Sequence, residues 1–438
     1  MNNGIERRDF IKQSIATFGV AAASSGNILG ANDRIRVGVI GPGRQGRGLM
    51  KTFMKNPDAQ IVALCDVFQP HLDFAIKDAM LEGVETYKDF RKILDRKDVD
   101  AVIVASPDHW HALQLVMACQ AGKDVYVEKP TSVTVDEGRK MVQAARKYNR
   151  VVQVGTQQRS GDHFQKAVEI IRSGQLGKIT FVRTWNFGNQ TPGGIGSPPD
   201  GNPPDGLDWD MWLGPAPMRP FNANRFGVHP DRWSSFRWFW DYAGGMMTDW
   251  GVHLLDIVQM AMQVDAPTAI TAMGGKLALK DNRETPDTLM VTFEYASDKN
   301  GSFICTYENR ECNAQALNGQ GYGILFHGAD ATLYINRQYF EIIPEKGGKG
   351  SDPPRVESGN RQGDAHIRNF LDCVKSRGTP TSDIEIGHRS SSTCLLGNVA
   401  FRSGRRIVWN ANTEKIEGDN AASKYLSREY RKPWRLSL

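Results

Sequence analysis

The chain has 438 residues, of which 40% are hydrophobic and 24% are charged. This composition is typical of a folded protein of two or three domains and excludes a largely disordered chain. Lysine and arginine number 54 against 49 aspartates and glutamates, and the net charge of +5 is not gathered into basic stretches, so no nucleic-acid partner is expected. No apolar run approaches the roughly 20 residues that cross a bilayer, so stable membrane insertion is not expected either.

Residues 1–31 differ in character from the rest of the chain. Arg7 and Arg8 precede a short apolar stretch over 15–23, which small residues follow. This arrangement predicts a twin-arginine signal peptide with cleavage between Ala23 and Ala31. The alternative is an N-terminal amphipathic helix or a disordered tail. The signal predicts export by the twin-arginine machinery and a periplasmic location.

Short, almost continuously apolar strands alternate with helical patterns over residues 32–155. The predicted strands are Arg36–Ile40, Ala59–Cys65, Ala101–Ala105, Asp124–Val127 and Val151–Val154. The predicted helices are His71–Leu81, His111–Ala121 and Val135–Tyr148, and Gly122 stands where a C-terminal cap is expected. Such strands belong in a parallel sheet that helices cover on both faces. The segment therefore predicts a doubly wound α/β domain of the Rossmann type.

The pattern changes after Gly155, and residues 156–410 predict a second domain. A strand over Ile179–Phe187 and a stretch rich in proline and glycine precede the strands Thr268–Gly274, Leu289–Tyr295, Ser302–Tyr307, Gly323–Phe326 and Ala331–Ile335. Helical patterns recur at Gly251–Met262, Ala365–Arg377 and His388–Arg402. We predict an α+β domain with a large, mostly antiparallel sheet and helices on one face, followed by a C-terminal extension over 411–438.

A glycine-rich turn, GPGRQG, follows the first strand directly and opens a helix. Glycines in this context permit a tight turn and the close approach of a pyrophosphate, although a purely structural turn is the alternative. Asp66 ends the second strand, where a carboxylate accepts hydrogen bonds from ribose hydroxyls and repels a 2′-phosphate. We predict a site for NAD, with NADP not excluded, formed by Gly41, Gly43, Arg44, Gln45, Gly46 and Asp66.

Two further segments follow strands at the same carboxyl edge of the sheet, where doubly wound folds bind their ligands. They are SPDHWH over 106–111 and EKP over 128–130. A cation at Lys129 would lie over the nicotinamide side of the crevice. His109 and His111 are candidate functional residues. The alternatives are that His109 faces solvent and that His111 caps its helix.

Asp249 and His253 lie four residues apart, so on a helix they share a face and can form a hydrogen bond. A carboxylate that fixes the imidazole tautomer lets the other ring nitrogen take a proton from a hydroxyl, as oxidation of an alcohol requires. A purely structural pair is the alternative. No HExxH segment and no nearby third ligand supports a metal, and the six cysteines lack CxxC pairing, so no metal site is predicted.

On these motifs the chain resembles the glucose–fructose oxidoreductase and inositol dehydrogenase (Gfo/Idh/MocA) family over about residues 34–410. The resemblance implies an NAD(P)-dependent oxidoreductase whose catalytic trio is Lys129, Asp249 and His253. It implies cofactor contacts from Ser106, Pro107, His111, Glu128 and Lys129, and it allows a cis Lys129–Pro130 bond. It also implies contacts near the nicotinamide from Gln157 and Arg159, and homo-oligomer formation through the second domain's sheet. With its signal segment the chain looks like an exported branch of the family.

Six of the ten tryptophans are clustered over 209–250. They are Trp209, Trp212, Trp233, Trp238, Trp240 and Trp250, and they interleave with Asp208, Asp231, Arg232, Arg237 and Asp241. Aromatic faces pack against the C–H faces of sugars, which favours a polyol or saccharide over a keto acid and makes Trp240 and Asp241 candidate substrate contacts. The alternative is that the tryptophans fix a proline-rich loop to the domain.

These features predict hydride transfer from a hydroxyl of a sugar, polyol or glycoside. Two alternatives remain: a redox-neutral glycosidase or sugar-converting enzyme with retained NAD, and a non-catalytic sugar or NAD binder. The intact trio speaks against the binder. Because a periplasm offers no obvious pool of free NAD, the export signal predicts a tightly bound cofactor.

Overall fold

The structure, a computed structural model, describes residues 34–227, 234–297, 301–346 and 355–438. The predicted signal peptide, Trp233 of the tryptophan cluster, and the neighbouring Asp231 and Arg232 lie outside the described residues. Among the described helices, none is long and apolar enough to span a membrane.

The first domain alternates strands with helices. Its elements are β1 (Ile35–Ile40), α1 (Arg44–Met54), β2 (Ala59–Cys65), α2 (Gln69–Ala79), β3 (Glu85–Tyr87), α3 (Arg91–Leu94), β4 (Ala101–Val104), α4 (Asp108–Gln120), β5 (Asp124–Val127), α5 (Val135–Lys147) and β6 (Val152–Val154). Gly122 has a φ of 75° and follows the last turn of α4, as its predicted place at the helix end requires. The short, polar strand β3 was not predicted.

All six strands pair in parallel in the order β3-β2-β1-β4-β5-β6. Ala101 and Ile103 of β4 pack in the core on one face, and Val102 and Val104 pack in the core on the other. The predicted doubly wound parallel sheet is confirmed, because burial on both faces is what makes the strands continuously apolar.

The second domain combines one large sheet with helices. Its elements are α6 (Asp162–Arg172), β7 (Phe181–Phe187), β8 (Asp200–Gly201), α7 (Trp209–Leu213), β9 (Phe221–Asn222), α8 (Ala223–Phe226), α9 (Gly245–Asp249), α10 (Gly251–Met262), β10 (Ala269–Gly275), β11 (Thr288–Tyr295), β12 (Phe303–Arg310), β13 (Tyr322–His327), β14 (Ala331–Ile335), β15 (Tyr339–Pro344), β16 (Arg355–Glu357), α11 (Gln362–Ser376), α12 (Ile384–Ser403), β17 (Ile407–Asn410), β18 (Lys415–Ile416) and α13 (Asn420–Ser423). Short 3₁₀ turns cover Gln157–Ser160, Ser235–Trp238 and Lys424–Leu426.

Ten strands form the large sheet in the order β16-β15-β14-β13-β7-β12-β11-β10-β17-β18. Only β7 and β12 pair in parallel, so the predicted, mostly antiparallel sheet is confirmed. Helices α6, α10 and α12 contribute to one continuous apolar core with this sheet. The strands alternate accordingly: in β11, Leu289, Val291 and Phe293 are buried, and Met290 between them is exposed.

Later segments return to the first domain. Helix α11 packs Phe370 and Leu371 into one face of the Rossmann core, and near the C-terminus Trp434 packs against Phe90 and Trp110 on the other face. The Arg428 guanidinium ion-pairs with the Glu137 carboxylate of α5 at 2.7 Å. The two domains are therefore joined by more than the connection after β6.

Candidate active site

A cavity of about 710 Å³ lies where the carboxyl ends of β1, β2, β4 and β5 face the second domain. Gly41, Asp66 and Lys129 line it from the first domain, and Arg237, Asp249 and His253 line it from the second. Both predicted constellations, more than 100 residues apart in the chain, thus face one cavity.

The glycine-rich turn leaves room for a ligand. Gly41 has a φ of 81°, and a Cβ there would lie 2.6 Å from the backbone nitrogen of Ser106. A Cβ on Gly46 would lie 2.2 Å from the Gly41 carbonyl oxygen, whereas a Cβ on Gly43 would meet nothing within 4 Å. Gly43 lines the cavity and is the N-cap of α1 without a side-chain cap. The open backbone and the uncapped helix fit a pyrophosphate, so the residues present fit a dinucleotide.

Asp66 lies at the end of β2 and lines the cavity. One carboxylate oxygen accepts a hydrogen bond from the Phe68 backbone nitrogen at 2.9 Å, and the other lies 3.2 Å from His71 Nδ1. These contacts fix the carboxylate, and each of its oxygens keeps acceptor capacity for another donor. The position fits the predicted ribose contact.

Hydrogen bonds to neighbouring protein groups hold the segment after β4 in place. Ser106 Oγ donates to Gln114 Oε1 at 2.6 Å. His111 is buried, with Nδ1 lying 2.7 Å from the Pro130 carbonyl oxygen and Nε2 lying 2.8 Å from the Ser106 carbonyl oxygen. Burial lowers the pKa of His111, against the opposing effect of these two carbonyls. The ring therefore bridges the loops after β4 and β5, and because it also lines the cavity, its role as a cofactor contact stays a prediction.

His109, the other histidine of this segment, does not face solvent. It is fully buried, and its Nε2 lies 3.0 Å from the Trp212 carbonyl oxygen.

Glu128 is buried beneath the glycine-rich turn. Its Oε1 accepts a hydrogen bond from Gln45 Nε2 at 2.9 Å, and a Cβ on Gly155 would lie 2.7 Å from the same oxygen. Burial raises the pKa of the Glu128 carboxyl, and the neighbouring Lys129 charge opposes the shift. Glu128 therefore joins the first turn of α1 to the end of β5.

Lys129 and Asp249 form the central ion pair of the cavity, and the Lys129–Pro130 bond is cis. Lys129 Nζ donates to Asp249 Oδ1 and to the Asp249 carbonyl oxygen, both at 2.8 Å. Arg237 Nη1 donates to Asp249 Oδ2 at 2.7 Å. Although burial opposes it, the charges of Arg237 and Lys129 hold the pKa of Asp249 well below its ordinary value. Because an ammonium has three protons, Lys129 keeps one for a ligand.

The predicted hydrogen bond between Asp249 and His253 is wrong. Helix α9 ends at Asp249 and α10 begins at Gly251, so the two residues do not share one continuous helix. The Asp249 carboxylate is used by Lys129 and Arg237, and His253 Nδ1 is buried without a hydrogen-bond partner among the described residues. Burial, followed by the charges of Arg337 and Lys129, lowers the pKa of His253 well below its ordinary value. The ring is neutral at neutral pH and can accept a proton.

The four predicted substrate contacts have different outcomes. Gln157 lines the cavity. Arg159 does not, because it is buried in an ion pair with Asp256 at 2.8 Å. Trp240 and Asp241 also lie outside the cavity lining, since Trp240 stacks under Arg402 and Asp241 pairs with Arg219 at 2.8 Å. The prediction is wrong for these three residues.

Some of the described tryptophans of the cluster pack against one another, and some also form the cavity wall. Trp209 and Trp212 stack with ring centroids 4.7 Å apart, and Trp238 is buried in the same loop cluster. Trp212 and Trp238 also contribute to the cavity wall, together with Trp250. The alternative reading, in which the tryptophans fix the proline-rich loop, accounts for the stacked pair.

Several lining residues were not predicted. They are Asp108, Gln190, Glu311 and Arg337, whereas the lining residues Arg237 and Trp250 were named with the tryptophan cluster. Burial raises the pKa of Asp108 to about 7 and that of Glu311 to about 7. Asp108 follows Ser106 and Pro107 at the edge of the sheet, and Glu311 directly follows β12, so position at a strand end was an available signal for both. Arg337 lies in the β14–β15 turn, and its chain position carries no such signal. Among the described residues, no group of three or more histidines, cysteines and carboxylates is placed to hold a metal ion.

Two family models match the chain. The model of the Gfo/Idh/MocA oxidoreductase family with an NAD-binding Rossmann fold matches residues 35–156, and that of the family's C-terminal alpha/beta domain matches residues 178–436.

Curated relatives match over shorter stretches. The uncharacterized oxidoreductase YrbE of Bacillus subtilis (strain 168) is 31% identical over 144 residues, which are 33% of this chain and 42% of that protein. A glycosyl hydrolase family 109 protein of Shewanella pealeana is 30% identical over 157 residues, which are 34% of each chain. The matched part thus spans less than half the length of these relatives.

Solved structures share the fold. Levoglucosan dehydrogenase in complex with NADH and levoglucosan superposes with a TM-score of 0.65 at 17% identity over 85% of this chain and 99% of that chain. The WlbA dehydrogenase from Bordetella pertussis in complex with NADH and UDP-GlcNAcA gives 0.63 at 18% identity over 86% and 99%. The family models cover both domains around the cavity, and the chain therefore belongs to the Gfo/Idh/MocA oxidoreductase family.

Proposed function

We propose that the protein is an NAD-dependent dehydrogenase that oxidises a hydroxyl group of a sugar, polyol or glycoside. The observation that carries the proposal is the shared cavity, in which the Lys129 ammonium, fixed by Asp249, and a neutral His253 face the same space as the glycine-rich turn. A positioned acid–base pair beside a dinucleotide cradle is what alcohol oxidation requires.

The residues that would hold NAD are those at the carboxyl edge of the parallel sheet. Gly41, Gly43 and the start of α1 would receive the pyrophosphate, and Asp66 would accept hydrogen bonds from the ribose. Asp66 favours NAD, since its carboxylate would repel a 2′-phosphate. When bound, the nicotinamide supplies the hydride acceptor.

The chain's own residues supply the proton chemistry. His253 faces the cavity as a neutral imidazole, which has one unprotonated ring nitrogen that can take the proton of a substrate hydroxyl. The remaining Lys129 proton can donate to the oxygen on which negative charge develops. Asp249 does not orient His253 but positions Lys129, because it accepts two of the three ammonium protons.

The lining of the cavity supports a carbohydrate. Gln157 supplies a neutral hydrogen-bonding group, and the Trp250 ring adds an aromatic group to the wall. Levoglucosan dehydrogenase and WlbA share the fold, and their structures are complexes with levoglucosan and UDP-GlcNAcA, respectively.

The experiment is an assay of purified protein with NAD or NADP and matched panels of sugars, glycosides, polyols and 2-hydroxy acids, followed by absorbance at 340 nm. The proposal expects NADH formation with at least one carbohydrate and a preference for NAD. Reduction with 2-hydroxy acids alone would contradict it.

A second candidate is a redox-neutral glycosidase or sugar-converting enzyme in which NAD(H) stays bound. It is favoured by the glycosyl hydrolase family 109 relatives, although their similarity covers about a third of the chain. This candidate expects stoichiometric NAD(H) after desalting and cleavage of a glycoside panel without added cofactor. Protein that elutes empty and works only with added NAD would leave the ordinary dehydrogenase.

Export and oligomer formation belong to the same proposal. The twin-arginine motif of Arg7 and Arg8 supports a periplasmic location, and replacing both by lysine should abolish export of a fused reporter. On the open face of the large sheet, Met273 and Met290 lie opposite each other on neighbouring strands and are 81% and 46% exposed. Apolar groups paired on an open sheet face support a homo-oligomer, which light scattering would measure.

A further inference from the structure

Arg337 lines the cavity with a guanidinium group that is held in place but has no carboxylate partner among the described residues. Its Nε donates to Gln158 Oε1 at 3.1 Å, and its Cζ lies 4.7 Å from the centroid of the Trp250 ring. In the part of the chain that the structure describes, no hydrogen bond or ion pair engages either Nη atom. These two nitrogens form the fork that binds planar anions in a bidentate manner.

The turn that carries Arg337 is rigid. The Asn336 side-chain oxygen accepts hydrogen bonds from the backbone nitrogens of Gln338 and Tyr339 at 2.8 and 3.0 Å. Gln362 Nε2 donates to the Arg337 carbonyl oxygen at 2.8 Å. A side chain held from both sides loses little freedom on binding a ligand, so this arginine is preorganised.

The Gln158 amide also connects Arg337 to α10, the helix that carries His253. Gln158 Nε2 donates to the His253 carbonyl oxygen at 3.1 Å while its Oε1 accepts from Arg337. The guanidinium charge is therefore close to the ring that would take the substrate proton, and it is the largest charge effect on the pKa of His253. A group bound by Arg337 would lie in the same part of the cavity as the reacting hydroxyl.

Three other arginines that are largely withdrawn from solvent have a carboxylate partner. Arg159 pairs with Asp256 and Arg283 pairs with Asp281, both at 2.8 Å, and Arg428 pairs with Glu137 at 2.7 Å. At Arg337 burial lowers the pKa of the guanidinium, against the opposing effects of Tyr322, Asp249 and Glu128, none of which forms an ion pair with it in the described part of the chain. Taking a cation out of water is unfavourable unless an anion compensates for the lost hydration. A bound anion would be that counterion.

We propose that the substrate carries a carboxylate, as the uronic acids do, and that the Arg337 fork binds it while the sugar ring lies near Trp250. This inference rests on the proposed function. Lys129 and Arg237 share the single carboxylate of Asp249, whereas the Arg337 fork has no ion-pair partner among the described residues and fits the two oxygens of a planar carboxylate. The carboxylate would orient the sugar and select against neutral sugars.

The test is calorimetric titration of the full-length protein in the presence of NADH. The probes are D-glucuronate, D-galacturonate and D-mannuronate, each matched with its neutral hexose, and D-glucose 6-phosphate. The expected result is that at least one uronate binds about tenfold or more tightly than its hexose. Arg337→Gln should weaken uronate binding about 10- to 150-fold, the range for losing hydrogen bonds to a charged group.

Arg402→Gln is the matched control. Arg402 is also stacked on a tryptophan, with its Cζ 4.9 Å from the Trp240 ring, and burial likewise lowers its pKa, but it lies outside the cavity lining. The control removes the same charge and should keep the preference for the uronate. Rescue of that preference by Arg337→Lys, at weaker affinity, would support a charge effect.

Three results would overturn the inference: no uronate binds, a uronate binds no better than its hexose, or the preference survives in Arg337→Gln. Tighter binding of the 6-phosphate would overturn the carboxylate assignment. Oxidation of neutral sugars without a uronate preference would remove this inference and leave the proposed function. Uronate binding that depends on Arg337, with no sugar oxidised, would support this inference and contradict the proposed function.

Discussion

The two ends of the cavity are built in different ways. The dinucleotide end consists of short turns that directly follow parallel strands, as at Gly41, Asp66 and Ser106. The substrate end collects single side chains from distant elements, such as Gln157 after β6, Glu311 after β12 and Arg337 between β14 and β15. One end is shaped mainly by backbone, and the other is shaped mainly by charged side chains.

The proton chemistry therefore belongs to the substrate end of the cavity. The groups with strongly perturbed pKa values, among them Asp108, Asp249, His253 and Glu311, line the cavity around Lys129. Such clusters mark functional sites, because burial and neighbouring charges adjust proton affinity there. Variants at the substrate end should therefore change turnover and pH dependence, and variants at the dinucleotide end should change cofactor affinity.

The largest expected effect is on turnover. Lys129→Met and His253→Asn should each lower kcat by about 10²- to 10⁴-fold, the range for losing a general acid or base. NAD affinity should be largely kept, since both side chains lie at the substrate end. Steady-state kinetics combined with titration of NADH fluorescence measures the two effects separately.

Lys140→Met is the control for the lysine variant. Lys140 pairs with Asp136 on the surface of α5 and lies outside the cavity lining, so its loss should leave kcat unchanged. Near-normal turnover in Lys129→Met or His253→Asn would remove that residue from the mechanism and weaken the contrast between the two ends.

The same contrast explains what the sequence could predict. Gly41 and Asp66 were predictable because a parallel strand fixes where its next residues emerge, so their roles depend on local order alone. Lys129, Asp249 and His253 were identified by resemblance, but their arrangement was not. Because the helix is broken at Trp250, between α9 and α10, the Asp249 carboxylate binds Lys129 and Arg237 and does not bind His253.

Predictions based on composition failed for a related reason. Trp240 and Asp241 are polar-tipped or aromatic residues in a loop rich in such groups, and nothing in their spacing shows which side of the loop faces the cavity. Arg159 looked available, yet Asp256, 97 residues away, pairs with it in the core. Arg337 was missed because the turn of a β-hairpin gives no sign of what it approaches in three dimensions.

The second prediction concerns stability and pH. Burial raises the pKa of Glu311 from 4.5 to about 7, so between these values the folded state holds a proton that the unfolded state releases. The free energy of unfolding should therefore fall as pH rises through this window and level off above about pH 7. Glu311→Gln removes this titration. Between pH 5 and pH 8 the wild type should therefore lose about 2 to 3 kcal/mol more unfolding free energy than the variant loses.

Urea denaturation of both proteins at the two pH values measures this shift. A difference that does not change with pH would mean that Glu311 does not titrate in this window, and it would remove one titratable group from the substrate end.

The third prediction addresses cofactor affinity. Asp66→Ala should weaken NAD binding by about 1.5 to 3 kcal/mol, as for a hydrogen bond to a charged group, and should reduce discrimination against NADP. Asp73→Ala is the matched control, because Asp73 accepts a hydrogen bond from Gln69 on the exposed side of α2 and lies outside the cavity lining. Unchanged titrations in Asp66→Ala would place the ribose contact elsewhere.

The smallest expected effect comes from one methyl group in the glycine-rich turn. Gly43 has a φ of −66°, which alanine adopts without strain, and a Cβ there would meet no protein atom within 4 Å. Gly43→Ala should therefore fold as well as the wild type. The added methyl would occupy the space where a pyrophosphate approaches the helix N-terminus, so NADH affinity should fall about tenfold or more, equivalent to at least about 1.4 kcal/mol.

Gly48→Ala is the matched control for this variant. Gly48 lies one turn further along α1, is exposed, and would also accept a Cβ with no atom within 4 Å, but it lies outside the cavity lining. Alanine there should raise the stability of the helix by up to about 1 kcal/mol and leave NADH affinity unchanged. Thermal melts and NADH fluorescence of the two variants then separate helix stability from ligand space. Equal affinities in Gly43→Ala and Gly48→Ala would mean that the turn does not approach the cofactor, and the backbone-built end of the cavity would lose its assigned role.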